Sequence, residues 1–334
     1  MSGPIRLRGE FASARVWPTG AMLAGAMFRL PDGRRVRPLA TLPWAFDAAL
    51  PGHMRRLGGE FFCLPFGGAG LDGAAETGWA GFVGRPGDAP LHGPAANADW
   101  TVEEAAPDRA HLSLDLPEPF PVARIDRWLR LAPETARIDV RVRLTARADT
   151  EIPAGFHPIL ALPGTGSLRL DAGFAEGFTY PGAIPGARML AKAGRGFARL
   201  SAVPGADGGA VDFSAPPLRR GHEDVLLLAS MTGPVSVDRP GRGYRLTIDW
   251  DRAALPHAML WLHDRGLAGP PWSGRFRGLG IEPVASAFDL APAVSRAENP
   301  LARRGYATTL PLRAGVPRDL WLSLSVSPLA QRAV

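Results

Sequence analysis

An all-β protein, one large antiparallel β-sandwich, is the fold class this sequence predicts. Three observations carry the prediction. Apolar and polar residues alternate with period two in segment after segment, glycine and proline are abundant and dispersed, and few windows of twelve residues escape one or the other. Forty glycines and 34 prolines among 334 residues lie well above the roughly 12% usual for the pair. Their spread along the chain points to many turns rather than a disordered tail.

The elements follow in order. His111-Leu112-Ser113-Leu114-Asp115-Leu116 alternates, and Arg137-Ile138-Asp139-Val140-Arg141-Val142-Arg143-Leu144 puts four aliphatic residues on one face and four charges on the other. Arg245-Leu246-Thr247-Ile248-Asp249-Trp250 and Leu320-Trp321-Leu322-Ser323-Leu324-Ser325-Val326 repeat the pattern. Strands with one dry and one wet face read as antiparallel. Between such segments lie chain-reversing clusters, Pro31-Asp32-Gly33, Pro86-Gly87-Asp88 and Ala206-Asp207-Gly208-Gly209. The Gly/Pro-rich stretch 182–209 reads either as a linker or as long loops on one body, and the whole chain, 1–334, is taken as one sandwich domain.

Charge and cysteine usage exclude several function classes. The net charge is +6, yet Lys192 is the only lysine and the arginines are scattered singly or in pairs. No basic run of five with interleaved aromatics exists, so no nucleic-acid partner is expected. Cys63 stands alone in an apolar setting, which rules out an internal disulfide and fits a small buried hydrophobe in a reducing compartment. No secretory leader and no run of eighteen apolar residues is present, so a cytoplasmic protein without a membrane partner is expected.

Gly68-Ala69-Gly70-Leu71-Asp72-Gly73 fits the dinucleotide fingerprint, but Gly78, Gly81 and Gly84 argue against the helix that must follow it, so it reads as a loop. His257 and His263 share a strand face, yet no third ligand suggests itself and no metal is expected. Three short stretches remain: Leu91-His92-Gly93 running on to Asn97 and Trp100, Phe156-His157-Pro158, and Ile281-Glu282-Pro283. Singly, His92 reads as a solvated or capping loop residue and His157 as a half-buried ring bonded to a carbonyl. Glu282, between two apolar residues, is a carboxylate whose ionisation burial disfavours, as suits a general base.

Together, in this order, the three stretches resemble the aldose 1-epimerase (galactose mutarotase) superfamily. Pro65-Phe66-Gly67, Pro271-Trp272 and Leu310-Pro311-Leu312-Arg313-Ala314-Gly315 add to the resemblance, which spans roughly residues 50 to 328. It implies a cofactor-independent epimerase that interconverts the α and β anomers of an aldose. Glu282 would be the base, His157 the acid, and His92 a hydrogen-bonding partner near the ring oxygen. Asn97, Trp272, Asp264 and Arg56 are the candidate substrate contacts. The partner implied is a small-molecule sugar, the oligomeric state monomer or homodimer. Where hexose-6-phosphate relatives carry an arginine after His-Gly, this chain has Ala96 before Asn97, so a phosphorylated substrate is disfavoured. The alternative is a non-catalytic sugar-binding or sensory protein on the same fold.

Overall fold

A computed structural model describes residues 3–44, 46–50, 52–73, 78–84, 90–164, 166–218 and 221–329. Two eight-stranded sheets dominate, and all of their pairings are antiparallel. The first runs Arg169–Asp171, Val235–Arg239, Tyr244–Trp250, Arg318–Pro328, Arg137–Ala146, Val122–Leu131, Arg109–Asp115, Thr101–Ala105. It contains all four strands read from alternation. Arg137–Ala146 buries every second residue against the core and leaves the arginines on the wet face. The all-β sandwich is therefore the fold of this chain.

The second sheet runs Gly196–Phe197, Phe174–Thr179, His222–Met231, His257–Asp264, Arg277–Ala285, Ala154–Phe156, Phe62–Cys63, with Ile159–Ala161 also on Arg277–Ala285. Its central strands are buried on both faces. One face gives Leu226, Leu228, Leu260, Leu262, Leu279 and Ile281 to the core between the sheets. The other face turns Val225, Leu227, Met259 and Val284 toward a second apolar cluster built with Phe61, Phe66, Phe276 and Phe288. A four-stranded meander, Ile5–Arg8, Ala12–Trp17, Met22–Arg29 and Arg35–Val36, completes the body.

Within the inter-sheet core, Arg127 and Glu60 form an ion pair with both side chains fully buried. The stretch 182–209 is mostly loop, interrupted by the short strands Gly196–Phe197 and Val203–Pro204 and the 3-10 turn Leu200–Ala202; within it Leu190 and Ala191 are buried, and the Asp224 carboxylate accepts both of their N–H groups. Residues 68–73 are likewise loop, as expected, while the Pro86-Gly87-Asp88 turn lies outside the described residues. Cys63 is buried and free. Among the described residues no helix is long and apolar enough to cross a membrane.

Candidate active site

Strand register builds the site. Ala154–Phe156 and Ile159–Ala161 both pair antiparallel with Arg277–Ala285, Gly155 facing Val284 and Ile159 facing Gly280. His157, between them, therefore stands opposite Glu282. On its other side His157 donates its backbone N–H to Phe61 O at 2.8 Å, and Glu282 pairs with Met259. One row thus crosses the sheet: Phe61, His157, Glu282, Met259. His157 Nε2 lies 3.4 Å from Glu282 Oε1, and the imidazole stacks on Phe61 with centroids 4.6 Å apart.

Gly280, two residues before Glu282 on the same face, provides the space the carboxylate occupies. A β-carbon there would overlap Glu282 Oε1 outright and come within 3.1 Å of the Trp261 β-carbon. The Gly-x-Glu spacing is thus a steric requirement of the buried acid.

His92 arrives from the opposite wall. It caps the short helix Gly93–Asn97 in the left-handed region, φ 65°, which a non-glycine residue occupies only when its surroundings hold it there. Gly93 follows at φ 67°, and a side chain at that position would run into Leu64 O, so the turn requires glycine after His92. The His92 ring meets His157 edge-on, centroids 4.9 Å apart, with Phe66 at 5.2 Å. A third imidazole, His53 on the helix Gly52–Arg56, meets His92 edge-on at 5.6 Å.

These groups line a cavity of about 210 Å³ together with Glu223, Asp289, Trp261 and Trp272 and an apolar set including Leu91 and Met259. That is smaller than the roughly 300–1,000 Å³ of drug-sized pockets and suits one small ring. Glu223 accepts the Trp261 indole N–H at 2.7 Å. Six buried polar atoms on these walls make no hydrogen bond within the protein, namely His92 Nδ1, His157 Nδ1, both Glu282 oxygens, Glu223 Oε2 and Asp289 Oδ1, although Glu282 Oε1 faces His157 Nε2 at 3.4 Å and Glu223 Oε2 faces His263 Nδ1 at 3.3 Å. Buried polar atoms are rarely left unpaired, so their convergence makes this cavity the candidate site for a polar ligand.

Burial sets the proton states. It pushes the Glu282 carboxyl well above the carboxylate range, with Asp289 adding to the effect, and raises Asp289 to about 6. It lowers His157 to about 3, with His53 contributing, and holds His92 well below the ordinary imidazole value. Burial therefore favours uncharged imidazoles at His53, His92 and His157 and the protonated form of Glu282.

Of the residues singled out from sequence, His92, His157, Glu282 and Trp272 come together on this cavity. Asn97, Asp264 and Arg56 stand apart from its lining. Asn97 is spent on His53 and on the carbonyls of Leu91 and Gly93. Asp264 is buried against Arg277, whose Nε donates to it at 2.6 Å. Arg56 lies over the rings of Trp17 and Phe46, 3.7 and 4.4 Å from their centroids. His53, Glu223 and Asp289 were not foreseen. Their signal was faint: His53 sits in a Gly-His-Met run, and Glu223 shares a face with Val225 and Leu227 on a strand buried on both sides. His257, one of the two histidines weighed for a metal, instead accepts from Ser230 N–H and donates to Ala307 O. Among the described residues no three His, Cys, Asp or Glu side chains gather as a metal site requires.

No protein-family model and no curated protein matches this sequence. Solved structures do. A galactose mutarotase-like protein from Lactobacillus casei superposes with a TM-score of 0.61 at 16% identity, covering 97% of this chain and 100% of its own. A GalM/aldose epimerase homologue from C. elegans gives 0.62 at 16%, covering 99% and 100%. The Slr1438 protein from Synechocystis gives 0.65 at 16%, covering 98% and 96%. The chain thus has the galactose mutarotase-like fold over nearly its whole length.

Proposed function

We propose that this cavity is the active site of a carbohydrate epimerase that exchanges the α and β anomers of an aldose by opening and reclosing the ring. The observation that carries the reading is the in-register His157–Glu282 pair, buried at the base of a ring-sized cavity whose remaining unpaired polar atoms await hydroxyls.

Opening a hemiacetal takes the proton from the anomeric hydroxyl and gives one to the ring oxygen. Both oxygens are bonded to one carbon, so two groups 3.4 Å apart can serve both. Glu282 as carboxylate is the base and His157 as imidazolium the acid. Only one proton is needed in the pair, and burial ensures that no more than one is held: above the depressed value of His157 and below the raised value of Glu282, the pair carries a single proton. Transfer between them on substrate binding creates the base and the acid together. The product aldehyde rotates about its bond to the next carbon, and the same pair run backwards closes the ring on the other face. His92 contributes a hydrogen bond near the ring oxygen, and Trp272 an aromatic wall for a sugar face. Each proton-transfer group contributes roughly 10²–10⁴-fold, enough for a reaction whose uncatalysed rate is already appreciable.

Saturation-transfer NMR between α and β anomer signals, over a panel of aldoses, tests this. Exchange accelerated by the protein and lost in Glu282→Gln is expected. Binding without accelerated exchange across the panel would instead identify a non-catalytic sugar-binding protein on this fold.

A further inference from the structure

The hydrogen bonds around His53 determine which of its ring nitrogens carries the proton. Both N–H groups of the Asn97 amide are used, one toward Leu91 O at 2.9 Å and one toward Gly93 O at 2.7 Å. Its Oδ1 is thereby fixed as the atom facing His53, where it accepts the backbone N–H at 3.1 Å and meets Nδ1 at 2.9 Å. A carbonyl oxygen cannot donate, so Nδ1 must carry the hydrogen. Burial lowers the His53 pKa, which keeps the ring neutral near pH 7 and leaves Nε2 with a bare lone pair. Nε2 has no protein partner among the described residues, and the residue lines the cavity beside His92.

The rest of the lining agrees. It holds three carboxyl groups, Glu223, Glu282 and Asp289, and among the described residues no arginine or lysine reaches it. Arg55 is bonded to Leu50 O and Arg56 lies over Trp17, both away from the cavity. A phosphate or carboxylate entering here would lose water beside three carboxyl groups and find no cation to pair with.

Resting on the sugar reading above, we infer that His53 is a specificity-determining residue: locked by Asn97 as the Nδ1–H tautomer, it offers Nε2 as an acceptor to a hydroxyl of an uncharged monosaccharide, and the site rejects phosphorylated and acidic sugars. Sites built to pair a hydroxyl discriminate sharply, because the wrong ligand strands a buried polar atom.

Two measurements test this. In the ¹⁵N-labelled protein near pH 7, two-bond ¹⁵N–¹H correlations should show His53 as the Nδ1–H form, and Asn97→Ala should release it toward the mixed pattern of a free imidazole. An Nε2–H or doubly protonated His53 in the unaltered protein overturns the inference. Second, saturation-transfer difference NMR should give dissociation constants for glucose, galactose and a 6-deoxyhexose at least tenfold below those for glucose 6-phosphate and glucuronate. His53→Gln, which retains an acceptor, should keep that preference, and His53→Arg should narrow it at least tenfold. Anionic sugars binding as tightly as neutral ones would refute the inference while leaving the sugar reading standing. If no sugar of either kind binds, the sugar reading falls and this inference with it.

Discussion

Gly280→Ala separates the proposed chemistry from the fold more cleanly than removal of the acid itself. The added methyl would occupy the position of Glu282 Oε1, the free end of a side chain, while its next contact, the Trp261 β-carbon at 3.1 Å, is tight but bearable. Strand backbone accommodates alanine, and replacing glycine there is worth roughly 0.5–1 kcal/mol of chain entropy in its favour, which offsets part of the crowding. The change should therefore cost little stability but drive the carboxylate back by roughly 1 Å, and a displacement of that size near the reacting atoms costs about 10²-fold in rate, equivalent to about 2.7 kcal/mol of barrier. Anomer exchange is read by saturation transfer at several sugar concentrations, and stability by urea denaturation. The expected outcome is kcat reduced about 10²-fold with a denaturation midpoint close to that of the unaltered chain. If kcat stays within about threefold while the protein folds normally, the Glu282 carboxylate does not act from the position described, and the proton-transfer argument fails.

Other consequences are open to the same kind of measurement. Glu282→Gln should lower exchange by roughly 10²–10⁴-fold; because burial raises this acid above its ordinary value of 4.5, its cost to the fold is absent below that value and grows as pH rises through the raised one. The variant should therefore gain stability over the unaltered protein as urea denaturations are moved to higher pH, and a constant difference would count against a buried titrating Glu282. His157 is depressed from 6.5 to about 3, so the unfolded chain binds a proton that the folded one refuses, and stability present above pH 6.5 is lost as pH falls toward 3. Its share is about 1.4 kcal/mol per pH unit, or about 2 kcal/mol between pH 6.5 and 5, and His157→Asn should lose that slope when denaturation free energies at pH 7 and 5 are compared. Arg127→Met would leave Glu60 buried without its cation, at a cost of about 3–5 kcal/mol; adding Glu60→Leu should recover most of it, and a double variant no more stable than the single would contradict the pairing.

How legible each part was in the sequence follows from which faces of a strand are wet. Arg137–Ala146 and Arg318–Pro328 lie in the sheet with a solvated face, so their period-two pattern survives and their positions could be read directly. His222–Met231 and Arg277–Ala285 are covered on both faces, by the inter-sheet core and by the aromatic cluster around the cavity. Double burial removes the alternation, and the polar residues these strands retain look like loop. The strands that carry the site were thus the ones that patterning could not show. The substrate contacts misled for a similar reason. Asn97 is four residues past His-Gly and suggests a ligand contact, but its amide is taken by the carbonyls of Leu91 and Gly93 beside the left-handed turn at His92.

The site was legible where the chain departs from its own rules. A central strand disfavours proline, which gives no ladder hydrogen bond, yet Pro283 lies within Arg277–Ala285, and Pro158 separates the two short strands that pair with it. A buried strand disfavours a carboxylate with no cation beside it, yet Glu282 is fully buried there. A left-handed backbone disfavours histidine, yet His92 adopts it. Each departure lowers stability where it stands, and local consistency is what a fold otherwise accumulates. Scattered over the molecule, they would be unrelated defects. They gather at one cavity of about 210 Å³: Pro158 and Pro283 directly follow the paired His157 and Glu282, and the left-handed turn carries His92 against His157. The concentration of local cost in one place, against an otherwise well-patterned sandwich, is what singles out this cavity as the proposed site.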